Sequence, residues 1–295
     1  LTAIFFPIIF VRRLMLRPRI SRLRKAQSLL AERLAEDPVI RLDQFSGVFV
    51  ISRHSDILRR VLYEDDYESV LVRECMKHLD ADRDAVDVGA NIGFYAVLFA
   101  KNLPGRRVLA VEPAPGALDR LKQNIRRNGT EKNTIVFEGL ASRASGFADI
   151  KIVAGKEEYT TSGELARPSV SGQPFSVVKV RMERLDDLVR LHGLEPGLVK
   201  IDAEGGEKGV LEGAEKTLAE HRPVVISELS DFLLRRNGSS AREIVGMMER
   251  LGYVVVNALH PHEPPGLRDF EDILCLPVER WDKQDGMKGK KPCRT

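Results

Sequence analysis

An acid, a glycine, an amide and a second glycine fall close together as Asp87, Gly89, Asn91 and Gly93, inside AVDVGANIGFYAVLFA (Ala85–Ala100). Gly89 allows a tight exit from a strand, and Gly93 lets the start of a helix lie close to a ligand. A dinucleotide fingerprint needs G-x-G-x-x-G, but its second glycine would be Asn91 and its third Phe94, so the pattern fails twice. No Gly-Lys-Ser/Thr follows, so a phosphate-cradling P-loop fails as well. The acids point to a different ligand. Asp87 stands just before the first glycine and would repel a pyrophosphate. Glu112 follows 25 positions later (112 − 87), at the end of the next apolar run, where a carboxylate can accept both hydroxyls of a ribose. S-adenosylmethionine has the ribose and lacks the phosphate, and its ammonium and sulfonium both favour nearby carboxylates. The competing reading is an empty turn whose Asp87 only caps backbone amides. Glu138, in the third strand, either approaches the adenine or faces solvent.

These residues need a strand–turn–helix frame, and the chain supplies its rhythm. AVDVG reads as a strand, Ile92–Lys101 as a helix, Arg106–Pro113 as a strand, and Gly116–Gly129 as a helix stopped by its glycine. Thr134–Ala141 is the next strand. A polar insertion, Lys151–Pro174, follows with strands at either end. The stretch from Gly197 to Leu229 gives strand, helix and strand again, and YVVVNAL and DILCLPV read as a closing strand pair. Such alternation argues for an α/β fold, a mostly parallel sheet wrapped on both faces, with ligands at the C-terminal ends of its strands. Ahead of it, Val39–Ser52 alternates like a hairpin and His54–Leu79 like one or two amphipathic helices. The expected organisation is a basic arm, hairpin and helical cap over 1–80, a catalytic domain over 81–280, and a flexible basic tail over 281–295.

Composition sets the outer bounds. The chain has 295 residues, 43% hydrophobic, enough for a sizeable core, and a net charge of +3 that demands no polyanionic partner. Cys75, Cys275 and Cys293 share no motif spacing, so neither a disulfide framework nor a zinc site is expected, and a reducing cytoplasm fits. The apolar start LTAIFFPIIFV is too short to span a bilayer as a helix and lacks the layout of a signal peptide. It is followed by seven basic residues between Arg12 and Lys25 with no acid among them. Residues 1–25 therefore suit contact with the inner face of an anionic membrane, or packing on the domain or on a second subunit of a homodimer. The leading Leu1 suggests that the true start lies upstream.

The stretches VDVGANIGFY, VLAVEPAPGALDRLKQNIRRNG, ERLDDL and LVKIDAEGGEKGVLEGAEKTLAEHRPVVISEL resemble the FkbM-type family of class I S-adenosylmethionine-dependent methyltransferases. The resemblance covers roughly Asp84 to Leu276. Members more often read KIDVEGAE, so Ala203 and Gly206 depart at small positions. The resemblance implies a seven-stranded Rossmann-like sheet in the order 3-2-1-4-5-7-6 with an antiparallel last strand. It implies O-methylation of a hydroxyl on a carbohydrate, glycolipid or secondary metabolite. On that sheet Glu112, Asp87, Asp202 and Glu228 would end four neighbouring strands and repel one another unless cations sit among them. Adenosylmethionine accounts for Asp87 and Glu112, leaving Asp202 and Glu228 for the acceptor.

Within KIDAEGGE, Asp202 at the strand tip and Glu204 in the loop are candidates to deprotonate or orient the acceptor hydroxyl, while Glu207 simply suits a helix N-terminus. A divalent metal held by two carboxylates and waters is not favoured, because no third ligand is evident. In the implied topology HPHEPPG (His260–Gly266) opens on the same edge. His260 or His262 could then act as base, against a plain reading as solvated histidines in a Pro-rich turn. Two other functions stay open: an RNA-directed methyltransferase anchored by the basic arm, and a non-catalytic adenosylmethionine-binding module. The arm's few aromatics disfavour specific nucleic-acid binding.

Overall fold

The computed structural model describes residues 34–63, 67–165, 167, 170–267 and 269–284. The basic arm 1–25, Cys293 and the tail beyond Gln284 lie outside the described residues.

A hairpin opens the described chain, β1 (Val39–Leu42) paired antiparallel with β2 (Gly47–Val50). Helices α1 (Asp56–Tyr63) and α2 (Ser69–His78) follow, so the amphipathic stretch forms two helices. Strand–helix alternation then runs through β3 (Asp84–Val88), α3 (Phe94–Asn102), β4 (Val108–Glu112), α4 (Pro115–Arg127) and β5 (Thr134–Ala141). The insertion adds β6 (Gly146–Ile152) and β7 (Ser176–Glu183). Helix α5 (Leu185–His192), β8 (Pro196–Ile201), α6 (Glu207–Glu212), α7 (Glu215–Glu220) and β9 (Val224–Leu229) continue the alternation. Helices α8 (Asp231–Arg236) and α9 (Ala241–Arg250), strands β10 (Tyr253–Asn257) and β11 (Glu271–Pro277), and α10 (Val278–Gln284) complete it.

The sheet has nine strands among the described residues, in the order β10-β11-β9-β8-β3-β4-β5-β7-β6. The expected seven, in the expected order, form its first seven positions. β6 and β7 extend it past β5, and this corrects the strand count. β7 runs parallel to β5 and pairs antiparallel with β6 over seven registered positions, from Gly146↔Met182 to Ile152↔Ser176. β11 is antiparallel to both of its neighbours, as expected.

All five residues of β3 are buried, because helices cover both faces of a parallel sheet. Alternate residues feed two cores. Val86, Val88, Leu109, Val111, Val199 and Ile201 face one, and Ala85, Ala110 and Leu198 face the other. Register places Asp87 beside Ala110 and Lys200, on the second face.

That second face also receives the hairpin and α1–α2, so residues 34–80 share a core with the sheet rather than standing beside it. Phe45 stacks on Phe94 of α3 at 4.8 Å between ring centroids, and Phe49 meets the same ring edge-on at 4.7 Å. Phe45 and Phe49 are fully buried. Trp281 of α10 packs against this core too, so the helix carries order past the expected start of the tail.

The unpaired edge of β2 is satisfied by α4. Asn124 accepts from Val50 N at 2.7 Å and donates to Val50 O at 3.2 Å and Ile92 O at 2.9 Å. Asn128, one turn on, accepts from Val48 N at 3.0 Å and donates to Val48 O at 2.8 Å. Two side-chain amides thus stand in for a neighbouring strand. Asn124→Leu leaves three buried backbone groups unpartnered and is expected to lower stability by about 2–4 kcal/mol in chemical denaturation. A change within about 0.5 kcal/mol would mean that the hairpin contributes little to the folded domain.

Candidate active site

The three turns that follow β3, β4 and β8 converge on one cavity. Its volume is about 160 Å³. That is roughly ten times the 10–15 Å³ needed for a single water, so the site is the size of a molecule. Asp87, Gly89, Asn91 and Glu112 line one half, and Asp202, Glu204 and Glu228 line the other.

Gly89 takes a φ of +75°, and a Cβ there would sit 1.8 Å from the Asp202 carbonyl oxygen. Its lack of a side chain lets the tips of β3 and β8 approach, and Asp202 N donates to Val88 O at 2.9 Å. Gly93 has a φ of +93°, and a Cβ there would meet Leu121 Cδ1 at 2.6 Å. Gly93 does not line the cavity: it accommodates α4, which corrects its expected place against the ligand. Asn91 between them is left-handed at φ 48°, a conformation uncommon outside glycine. Its N–H donates to Glu112 Oε2 at 2.8 Å, while Ala114 N–H donates to Oε1 at 2.8 Å. One carboxylate therefore pins the turn, and each of its oxygens keeps a second lone pair for a ligand.

The second turn is built the same way. Glu204 is left-handed at φ 48° and Gly205 at φ 95°. Glu207 curls back so that its Oε1 accepts from Ala203 N at 3.0 Å and Gly205 N at 3.1 Å. Its role goes beyond the helix N-terminus, because it shapes the loop that carries Asp202 and Glu204.

Two cations sit among the acids. Lys200, 6% exposed, lies with Nζ 3.7 Å from Asp202 Oδ2 and 4.6 Å from the Tyr95 ring centroid. Tyr95 in turn donates its hydroxyl to Glu68 Oε2 at 2.9 Å. Burial alone would lower the Lys200 pKa, but Asp202 and Asp87 together raise it, so the ammonium stays charged. Arg167, from the insertion, donates to Glu204 at 2.6 and 2.8 Å and to Glu228 at 2.9 Å. Its guanidinium lies 4.4 Å from the Phe270 ring centroid and 5.4 Å from that of Tyr159.

The donor-side acids are less well served. Asp87 is 1% exposed, and its Oδ1 is buried without a hydrogen-bond partner. Burial lifts its pKa to about 6 against the pull of Lys200. Glu112 is pushed by burial to about 7, although the amides of Ala114 and Asn91 oppose the shift. An orphaned carboxylate oxygen on a residue that lines a cavity fits a cationic or hydrogen-bond-donating ligand.

Not every expected residue belongs here. Glu138 is half exposed and pairs with Lys122 at 2.7 Å; β5 lends the cavity Gly139, Leu140 and Ala141 instead. His260 and His262 are exposed in the loop between β10 and β11, and neither lines the cavity. The contact that loop makes with the site is through Phe270, an exposed ring that lies against Arg167 without lining the cavity. Glu204 and Glu228 line the cavity as expected, yet both are held by Arg167. Among the described residues no group of three or more His, Cys, Asp or Glu is arranged to hold a metal ion, and no helix is long and apolar enough to cross a membrane.

Lys200 was legible as a charge inside the apolar strand run LVKI. Arg167 carried no such signal, because the polar insertion has no periodicity to say which residue turns inward.

Residues 87–255 match the family described as the methyltransferase FkbM domain. The chain is 28% identical over 173 residues to the 2-O-methyltransferase NoeI of Sinorhizobium fredii, covering 55% of this chain and 70% of NoeI. It is 25% identical over 212 residues to the hexuronic acid methyltransferase AglP of Haloferax volcanii, covering 70% of this chain and 81% of AglP. With the AMB antimetabolite synthetase AmbE of Pseudomonas aeruginosa it shares 26% identity over 241 residues, which is 72% of this chain but 11% of AmbE. The chain thus spans only about a tenth of that relative.

The buried acids make stability fall as pH rises. Glu207 and Glu158 are pushed by burial to about 7 and Asp272 to about 8, alongside Asp87 and Glu112. Carboxylates raised above their unfolded value of about 4 bind protons in the folded state that the unfolded chain releases, so their contribution is full below about pH 4 and lost through pH 6–8. His78, held by burial at about 4, opposes them as a single group. Ligand-free protein is expected to be less stable at pH 8 than at pH 5.5 by about 3 kcal/mol or more, read by thermal denaturation. A melting temperature that rises over this range would place these carboxylates in contact with water.

Proposed function

This chain belongs to the FkbM methyltransferase family, and from that premise we propose that it moves a methyl group from S-adenosylmethionine to a hydroxyl of a carbohydrate, glycolipid or secondary metabolite. The observation that carries this reading is the unpartnered, buried Asp87 Oδ1 beside Glu112 at the glycine turn. When bound, S-adenosylmethionine supplies a methyl carbon activated by its sulfonium. Asp87 offers the cationic end of the donor a counter-charge. Glu112 offers the ribose hydroxyls the lone pairs that Asn91 and Ala114 leave free. Relatives named as a 2-O-methyltransferase and a hexuronic acid methyltransferase support the choice of oxygen and of a sugar-like acceptor.

The chain's own work is placement and proton removal. Holding an acceptor oxygen in line with the methyl carbon removes most of the entropic barrier to the transfer. The carbon–sulfur bond breaks as the carbon–oxygen bond forms, and the hydroxyl proton leaves to a base. Asp202 is the best-placed carboxylate for this, since its side chain is 36% exposed toward the cavity while Glu204 and Glu228 are bound by Arg167. Lys200 contacts Asp202 Oδ2, which leaves Oδ1 for the acceptor.

Calorimetry and methyl-transfer assays run side by side test both halves. Glu112→Ala is expected to weaken adenosylmethionine binding by about 10- to 100-fold, the value of hydrogen bonds to a charged acceptor. Asp202→Asn keeps the shape and removes the base, so turnover is expected to fall by about 10²–10⁴ with donor affinity little changed. Near-normal transfer by Asp202→Asn would remove it as the base. Unchanged binding by Glu112→Ala would remove Glu112 from the donor site.

A further inference from the structure

We infer that the acceptor is an uncharged or amine-bearing sugar-like polyol, and that sugar acids and phosphorylated sugars are rejected. This rests on the proposed methyl transfer and narrows its substrate class.

Three basic side chains line the cavity among the described residues, Arg60, Arg167 and Lys200. All three are already engaged. Arg60 Nη2 lies 3.8 Å from Glu68 Oε1, Lys200 Nζ 3.7 Å from Asp202 Oδ2, and Arg167 is bound to Glu204 and Glu228 together. An entering carboxylate or phosphate would have to strip a cation from its own carboxylate. Arg167 is the least separable, because two carboxylates and the Phe270 face hold it while it is only 17% exposed.

The balance of charge acts in the same direction. Eight carboxylate side chains line the cavity against those three cations. With Asp87 and Glu112 on the proposed donor side, Asp202, Glu204 and Glu228 remain toward the acceptor, three carboxylates against Lys200 and Arg167. Hydroxyl groups can donate to the remaining carboxylate lone pairs, and an amine can do so with charge. An anion about 6 Å from an uncompensated carboxylate, at an effective dielectric of about 20, is bound roughly 100-fold more weakly than its neutral counterpart.

The test is saturation-transfer NMR on the whole chain with S-adenosylhomocysteine bound, offering methyl glycosides of glucose, glucosamine and glucuronic acid at equal concentration. Glucosamine is expected to bind best, glucose next, and glucuronate about 10-fold or more below glucose. Glu228→Gln releases part of Arg167 and is expected to raise glucuronate affinity about 10-fold while lowering that of glucosamine. Wild-type protein that binds glucuronate as well as glucose overturns the inference. Silence from all three glycosides overturns it as well, if calorimetry shows S-adenosylhomocysteine still bound, because the acceptor site would lie elsewhere. Failure to bind S-adenosylhomocysteine at all is a different result and removes the proposed function itself.

Discussion

A single buried ammonium allows the acidic edge to exist. Asp87, Asp202 and Glu68 converge on one edge, Asp87 fully buried, and two like charges about 4 Å apart repel by about 4 kcal/mol at an effective dielectric of about 20. Lys200 lies among them, in register with Asp87 and within 3.7 Å of Asp202. Desolvating the ammonium is itself unfavourable. The Tyr95 ring 4.6 Å away offsets part of that penalty, and the Tyr95 hydroxyl ties the arrangement to Glu68 ahead of α2. The strand, the first helix after the glycine turn and the cap are thereby fixed around one charge.

The cap follows from this constraint. Lys200 and Asp87 sit on the sheet face that the hairpin and α1–α2 cover, and that covering buries both. Covering the face requires β2 to end without an exposed edge, and Asn124 and Asn128 of α4 provide the termination. Helix α4 begins directly after Glu112 and Ala114, the pair that pins the glycine turn. The cap is thus connected to the donor site through the helix that both of them use.

Legibility in the sequence divided along the same line. Strand tips were readable because their signals are local: Asp87 before Gly89, Glu112 before Pro113, Asp202 in KIDAEGGE. The helix–strand rhythm from Ala85 placed them on one edge, and the order of the first seven strands held. What was not readable depended on partners distant in sequence. Gly93 needed knowledge of Leu121, and Glu138 was drawn to Lys122 across a helix. Strands at either end of the polar insertion were expected and are β6 and β7; what the sequence did not carry is that they pair with each other and extend the sheet past β5. The histidines of HPHEPPG are exposed, and their loop touches the site only through the Phe270 ring against Arg167.

Lys200 and Arg167 differ in how the fold holds them. Lys200 rises from β8, buried on both faces, and cannot leave without breaking the sheet. Arg167 comes from the insertion between β6 and β7 and is held by hydrogen bonds to Glu204 and Glu228 with an aromatic face on Phe270. Those contacts fix Arg167 only where the insertion carries it, whereas the place of Lys200 is set by the register of the strand itself. The half of the cavity around Asp87 and Glu112 is set by strands and the turns between them. On the proposed reading, what faces the acceptor is set by the insertion that brings Arg167 to Glu204 and Glu228 and by the loop that brings Phe270 to Arg167, so a change of acceptor is expected from those two segments before the strands that carry Asp87 and Glu112.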